Sequence, residues 1–157
     1  VYQPTEDLLL WGAGNRAGAV QGGKPVALNL STCVNPAEAA MVVSRSHRSK
    51  TVTSVAEHLG VTQEQPVGSV GLKVAYIAQG TAEIYISTTN RMREWDTCAP
   101  EAILRAVGGQ MTDIRGEPLR YNKEDSRVLY GVIATNGVLQ TPCVQALLPV
   151  CKEREWI

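Results

Sequence analysis

The densest group of chemistry-bearing residues is Glu94-Trp95-Asp96-Thr97-Cys98-Ala99-Pro100-Glu101. Proline fits the first turn of a helix, where its missing N–H breaks no hydrogen bond, so Pro100 predicts a helix opening near Asp96. An aspartate there has two readings. It caps the free backbone N–H groups and complements the positive end of the helix dipole. Alternatively, it offers an ionised hard carboxylate to a divalent cation such as Mg²⁺. Taken alone, the stretch favours the cap.

A second group is Gly68-Ser69-Val70-Gly71-Leu72-Lys73. Glycines open a helix, and Ser69 and Lys73, four residues apart, share one of its faces. Free N–H groups, a hydroxyl and an ammonium suit an anion. A capped helix with one solvated lysine explains the same residues. The spacing is not that of a P-loop, so triphosphate binding of that kind is unsupported. The third group, Ser44-Arg45-Ser46-His47-Arg48-Ser49, follows the apolar Met41-Val42-Val43. Open α/β sheets bind ligands at such strand ends, and two guanidinium groups among hydroxyls suit phosphate. A solvated basic loop is the plainer account, and both readings stand.

The elements that must position these groups follow from pattern. Val1-Tyr2, a Pro4–Asp7 turn and Leu8–Gly12 predict a hairpin, and Gly22-Gly23 and the alternation over Val26–Leu30 predict further strands. After Asn35-Pro36 the pattern becomes strand–helix alternation, which predicts an α/β layer arrangement. Helices are expected over Thr51–Leu59, Val70–Gln79 and Asp96–Val107, and from Val138 or Pro142 to the C-terminus. Strands are expected at Met41–Val43, Ile84–Ile86, Gln110–Thr112 and Leu129–Thr135.

Composition narrows the function classes. The chain has 157 residues, 44% hydrophobic and 19% charged, with fifteen Lys+Arg balancing fifteen Asp+Glu. That suffices for a core, and zero net charge argues against non-specific nucleic-acid binding and a polybasic membrane surface. No apolar run reaches the ~20 residues of a membrane helix, and no leader-like segment opens the sequence. Cys33, Cys98, Cys143 and Cys151 form no CxxC pair, and His47 and His58 lie far from them, which disfavours a zinc or redox protein. A reducing cytoplasmic setting is expected.

Together the three groups, with Gly108-Gly109 and Thr112-Asp113-x-x-Gly116, resemble the inositol monophosphatase superfamily of Mg²⁺-dependent, lithium-sensitive phosphatases. The form of Trp95–Glu101, with Ser44–His47 and Gly68–Lys73 upstream, most resembles the 3′(2′),5′-bisphosphate nucleotidases, which remove the 3′-phosphate of 3′-phosphoadenosine 5′-phosphate in sulfur assimilation. The resemblance spans essentially the whole chain. It implies that Asp96 is a catalytic metal ligand facing the scissile phosphate. It also implies that Ser44, His47, Ser69 and Lys73 contact the nucleotide, although Ser69 stands where a relative has glycine. Arg45 and Arg48 join that set on charge alone. The implied fold is a mixed sheet flanked by helices over residues 31–157, preceded by a β remnant over residues 1–30.

The resemblance also implies an absence. The family holds most of its metal on an upstream glutamate and an Asp-Pro-x-Asp-Gly-Thr segment. The four aspartates here, Asp7, Asp96, Asp113 and Asp125, lie in no such segment. The chain is therefore expected to be a distal half-enzyme with little phosphatase activity alone, since one carboxylate cannot hold two or three hard cations. Bare strand edges in residues 1–30 are expected to pair with another copy or with the missing half. Two alternatives remain open: a phosphatase of inositol or sugar phosphates, and a non-catalytic anion-binding module.

Overall fold

A computed structural model describes residues 1–46 and 49–157. Two sheets and two helical layers alternate. The first sheet is an antiparallel meander of β1 (Tyr2–Gln3), β2 (Leu8–Ala13), β3 (Arg16–Gln21) and β4 (Lys24–Val26). The hairpin predicted over the first twelve residues is present, with Tyr2 opposite Leu9. Leu8, Leu10 and Ala19 turn inward, whereas Tyr2, Leu9 and Trp11 stay exposed on the outer face.

The second sheet is mixed, in the order β6–β5–β7–β9–β8. It comprises β5 (Ala40–Ser44), β6 (Gln63–Val67), β7 (Ile84–Ser87), β8 (Gln110–Thr112) and β9 (Val132–Thr135). β5 is parallel to both β6 and β7, and β9 is antiparallel to β7 and β8. The helices are α1 (Lys50–His58), α2 (Val70–Ala78), α3 (Glu94–Ala106) and α4 (Gln140–Glu153).

Side-chain alternation along the second sheet sorts the helices. Val42, Tyr85, Val132 and Ala134 face one way and pack with Val74 and Ile77 of α2, Ile103 and Leu104 of α3, and the first sheet. Met41, Val43, Ile84, Ile86 and Ile133 face the other way and pack with Val52 and Val55 of α1 and Leu139, Cys143 and Leu147 of α4. A sheet buried on both faces reads as continuous apolar runs, which is why these strands were conspicuous in the sequence. Between β2 and α3 the backbones nearly touch: a Cβ on Gly12 would fall 2.7 Å from the Ile103 Cα. No helix among the described residues is long and apolar enough to cross a membrane.

Four expectations need correction. β4 ends at Val26, and residues 27–35 cross between the sheets unpaired. The alternation of Val26, Leu28 and Leu30 reflects packing against the core, not a ladder, and Asn136 Nδ2 satisfies the carbonyls of Ser31 and Cys33 instead. β6 gave no apolar signal because Gln63-Glu64-Gln65-Pro66-Val67 is an edge strand, the position that tolerates proline. β9 begins at Val132, after Gly131 turns left-handed. α3 begins at Glu94, so Pro100 lies well inside the helix.

Candidate functional site

The connection β5–α1–β6 moves to one side of β5, and β6–α2–β7 runs back past β5 to its other side, with α1 and α2 on opposite faces. The C-terminal ends of β5 and β7 therefore open a crevice at a change of winding direction, where sheets of this kind bind ligands. A cleft of about 800 Å³ occupies that place. Its described walls carry the hydroxyl-bearing Ser44, Ser49, Ser69, Tyr85 and Thr88 and the cationic Lys73, Arg91 and Arg154, with no carboxylate.

Each wall has a local cause. Ser44 ends β5. Ser69 caps α2, its Oγ accepting from Leu72 N–H at 3.1 Å. Ser69 sits at φ +36°, a conformation that glycine adopts freely and serine rarely does. Strain of this kind is held only where the surroundings fix it. Four residues on, Lys73 is buried, and its ammonium donates to the Ser69 carbonyl at 3.0 Å and lies 5.3 Å from the Tyr85 ring centre. Burial lowers the Lys73 pKa, because the charged form loses water. Ser49 caps α1, accepting from Val52 N–H at 3.2 Å, and its Oγ is 3.2 Å from Thr88 Oγ1.

The sequence-predicted residues fare differently. Ser44, Ser69 and Lys73 line this one cleft. Arg45 is not a lining residue; its guanidinium lies beside Gly68, where an added Cβ would fall 3.4 Å from it. His47 and Arg48 lie outside the described residues. Asp96 is not a lining residue. One of its oxygens accepts from the Arg93 backbone N–H at 2.8 Å, so the cap reading describes its geometry. Its charge still reaches the cleft: burial first, and then the Asp96 carboxylate, raise the Tyr85 pKa, against a hydrogen bond from Ser87 that lowers it.

Tyr85, Thr88, Arg91 and Arg154 were missed. Tyr85 hides within an apolar strand run, and Arg154 follows the last helix without any motif.

A magnesium seat is not built by this chain's described residues. A hard cation of this kind is held by several oxygen donors. No group of three or more His, Cys, Asp or Glu side chains converges among the described residues, and Asp96 contributes a single carboxylate.

A second cavity of about 330 Å³ is also bordered by cations. Three of them are already neutralised: Arg115 by Asp113 at 2.7 Å, Arg127 by Asp125 at 2.6 Å, and Lys123 by Glu94. The predicted turn role of Asp113 is visible there too, with its Oδ1 accepting from the backbone of Arg115 and Glu117. The larger cleft, whose described lining carries three cations and no carboxylate, is the better anion site.

Residues 1–147 match the inositol monophosphatase family. The chain is 42% identical over 84 residues to 3′(2′),5′-bisphosphate nucleotidase 1 of Rattus norvegicus, a match covering 54% of this chain and 27% of that protein. It is 34% identical over 129 residues to inositol monophosphatase 3 of Danio rerio, covering 78% of this chain and 35% of that one. Among solved structures, an inositol monophosphatase from Anabaena (Nostoc) superposes with a TM-score of 0.75 at 22% identity, covering 94% of this chain and 59% of that one. The chain thus spans about a third or less of the curated relatives it matches.

Proposed function

The chain belongs to the inositol monophosphatase family, and from that premise we propose that its cleft binds a 3′-phosphorylated adenine nucleotide as the substrate of a phosphomonoesterase. The observation that carries this reading is the charge of the cleft: Lys73, Arg91 and Arg154 line it, with no carboxylate among the described lining residues. The α2 N-terminus adds backbone N–H groups and the positive end of its dipole. Ser69 and Lys73 hold the phosphate, and Ser44 borders the rest of the ligand. The volume of the cleft, about 800 Å³, fits a nucleotide better than phosphate alone. The relative named as a bisphosphate nucleotidase supports the choice of ligand.

Hydrolysis of a phosphomonoester at ordinary rates calls for positive charge on the phosphoryl oxygens and an activated water. Asp96 alone does not supply a metal seat, so this polypeptide by itself is proposed to bind the nucleotide and to turn it over poorly. A titration with adenosine 3′,5′-bisphosphate, repeated with inositol 1-phosphate as competitor, tests the ligand. Preferential binding of inositol 1-phosphate would favour the reading supported by the Danio rerio relative. An assay of phosphate release with Mg²⁺ tests the rest, and ordinary turnover would refute the proposed inactivity.

We further propose that another chain covers the outer face of the first sheet. The exposed Tyr2, Leu9 and Trp11 support this. Light scattering that returned a monomer with no partner bound would overturn it.

A further inference from the structure

The chain does not run straight on from α4. Glu155 N–H bonds to the Lys152 carbonyl at 3.1 Å and Trp156 N–H to the Cys151 carbonyl at 2.9 Å. Glu155 is left-handed, at φ +53°, without being a glycine. This turn folds Trp156 back onto the protein, where its ring meets Tyr130 edge-on at 5.5 Å. The Arg154 guanidinium then lies 4.9 Å from the Trp156 ring centre. It donates to the Thr88 carbonyl at 3.1 Å and to Thr51 Oγ1 at 3.3 Å. A guanidinium carries five N–H donors in a fixed fork, and these bonds use two of them. No carboxylate among the described residues pairs with Arg154.

The position of this group is informative. Lys73 reaches the cleft from α2, in the helical layer between the sheets. Arg154 reaches the same cleft from the end of α4, in the layer on the opposite face of the second sheet. The cleft is thus gripped from both sides by cations that come from different layers. A ligand with one anionic group engages one of them. A ligand with two separated anionic groups can engage both.

We propose that Arg154 is a ligand-binding, specificity-determining residue, taking a second anionic group of a ligand whose first is held by Lys73 and the α2 N-terminus. The Trp156 ring beside it and the left-handed Glu155 hold the guanidinium in place. The inference rests on the reading of this cleft as a phosphate-binding site.

The test is calorimetric titration of the full chain with adenosine 3′,5′-bisphosphate and with adenosine 5′-monophosphate. Loss of a charge-assisted contact predicts that Arg154→Ala weakens bisphosphate binding by about tenfold or more while changing monophosphate binding by less than about threefold. Arg154→Lys keeps the charge but not the fork, and is expected to lose at least about threefold of the bisphosphate preference. Equal losses for both ligands, or none, overturn the proposal. If Arg154→Ala melts before titration, an unchanged ligand ratio in Arg154→Lys overturns it instead. Lys73→Ala separates the premise from the inference. If Lys73→Ala leaves both affinities unaltered, the phosphate reading fails, and the role of Arg154 with it. If Lys73→Ala weakens both ligands and Arg154→Ala neither, only the role of Arg154 fails.

Discussion

The Asp96 carboxylate and the Arg93 backbone N–H are hydrogen-bonded at 2.8 Å, across the first turn of α3. The aspartate that most invited a metal-binding reading therefore already serves the fold with one oxygen. Removing that acceptor by Asp96→Ala is expected to cost about 1 kcal/mol of stability in urea denaturation. Asp96→Asn keeps an acceptor oxygen and is expected to lie within about 0.5 kcal/mol of the parent, the scale of a lost dipole interaction. Equal destabilisation by both variants would show that the charge, not the hydrogen bond, is what the helix uses.

Lys73 makes stability depend on alkaline pH. Burial lowers its pKa below that of the unfolded chain. Between the two values the unfolded state binds more protons, so this group's contribution to stability rises with pH through that window. The cost of the buried charge is fully present below the folded value. Lys73→Met is expected to stabilise the protein at neutral pH and to remove that slope. Urea midpoints measured from neutral to alkaline pH check this, and parallel pH profiles for the two proteins would refute it. Anion affinity is expected to follow the opposite course, failing at a pH below the ordinary lysine range.

Gly131 sits at φ +74°, where an added Cβ would fall 2.1 Å from the Ser87 carbonyl oxygen and 3.0 Å from the Thr88 Cα. Gly131→Ala combines an unfavourable backbone conformation with a clash against backbone that cannot yield. A loss of at least about 2 kcal/mol is expected. Because Ser87 and Thr88 line the cleft, ligand affinity is expected to fall as well. A variant with parental stability would mean that the wall can move.

Gln140 ties two strands to α4. Its Nε2 donates to Thr112 Oγ1 at 2.7 Å, and its Oε1 accepts from Thr135 Oγ1 at 2.9 Å, all three residues being buried. Gln140→Leu has similar volume but removes the acceptor of the Thr135 hydroxyl and the donor to Thr112 Oγ1, leaving Thr112 Oγ1 its bond to the Asp113 carbonyl and Thr135 Oγ1 its bond from Gly137 N–H. The expected cost is about 1–3 kcal/mol by thermal or urea unfolding. A neutral result would mean that the remaining bonds to the Asp113 carbonyl and from Gly137 N–H suffice for the two threonines.

Much of the architecture was legible from local pattern. The stripe Val52, Val55, Ala56 and Leu59, with Gly60 as its stop, marked α1, and apolar runs marked β5, β7 and β9, because strands covered on both faces have no polar side to show. Pattern failed where the cause was not local. Leu28 and Leu30 alternate as in a strand but face the core from an unpaired crossing segment, and β6 is polar because it lies at an edge. Pro100 misplaced the start of α3, because tertiary packing buries that proline within the helix.

The family resemblance, the succession of elements and three residues of the cleft, Ser44, Ser69 and Lys73, were readable from the chain alone. Those signals are carried by residues a few positions apart, whose geometry the backbone period sets. Long-range packing alone brings Lys73 and Arg154 to one cleft, sets the Tyr85 ring beside the buried ammonium and within the field of Asp96, and leaves Asp96 occupied as a cap. Residues 81 positions apart, Lys73 and Arg154, are joined only by which helix packs on which face of the sheet. That choice is made by burial summed over two cores, and no short stretch of the chain records it.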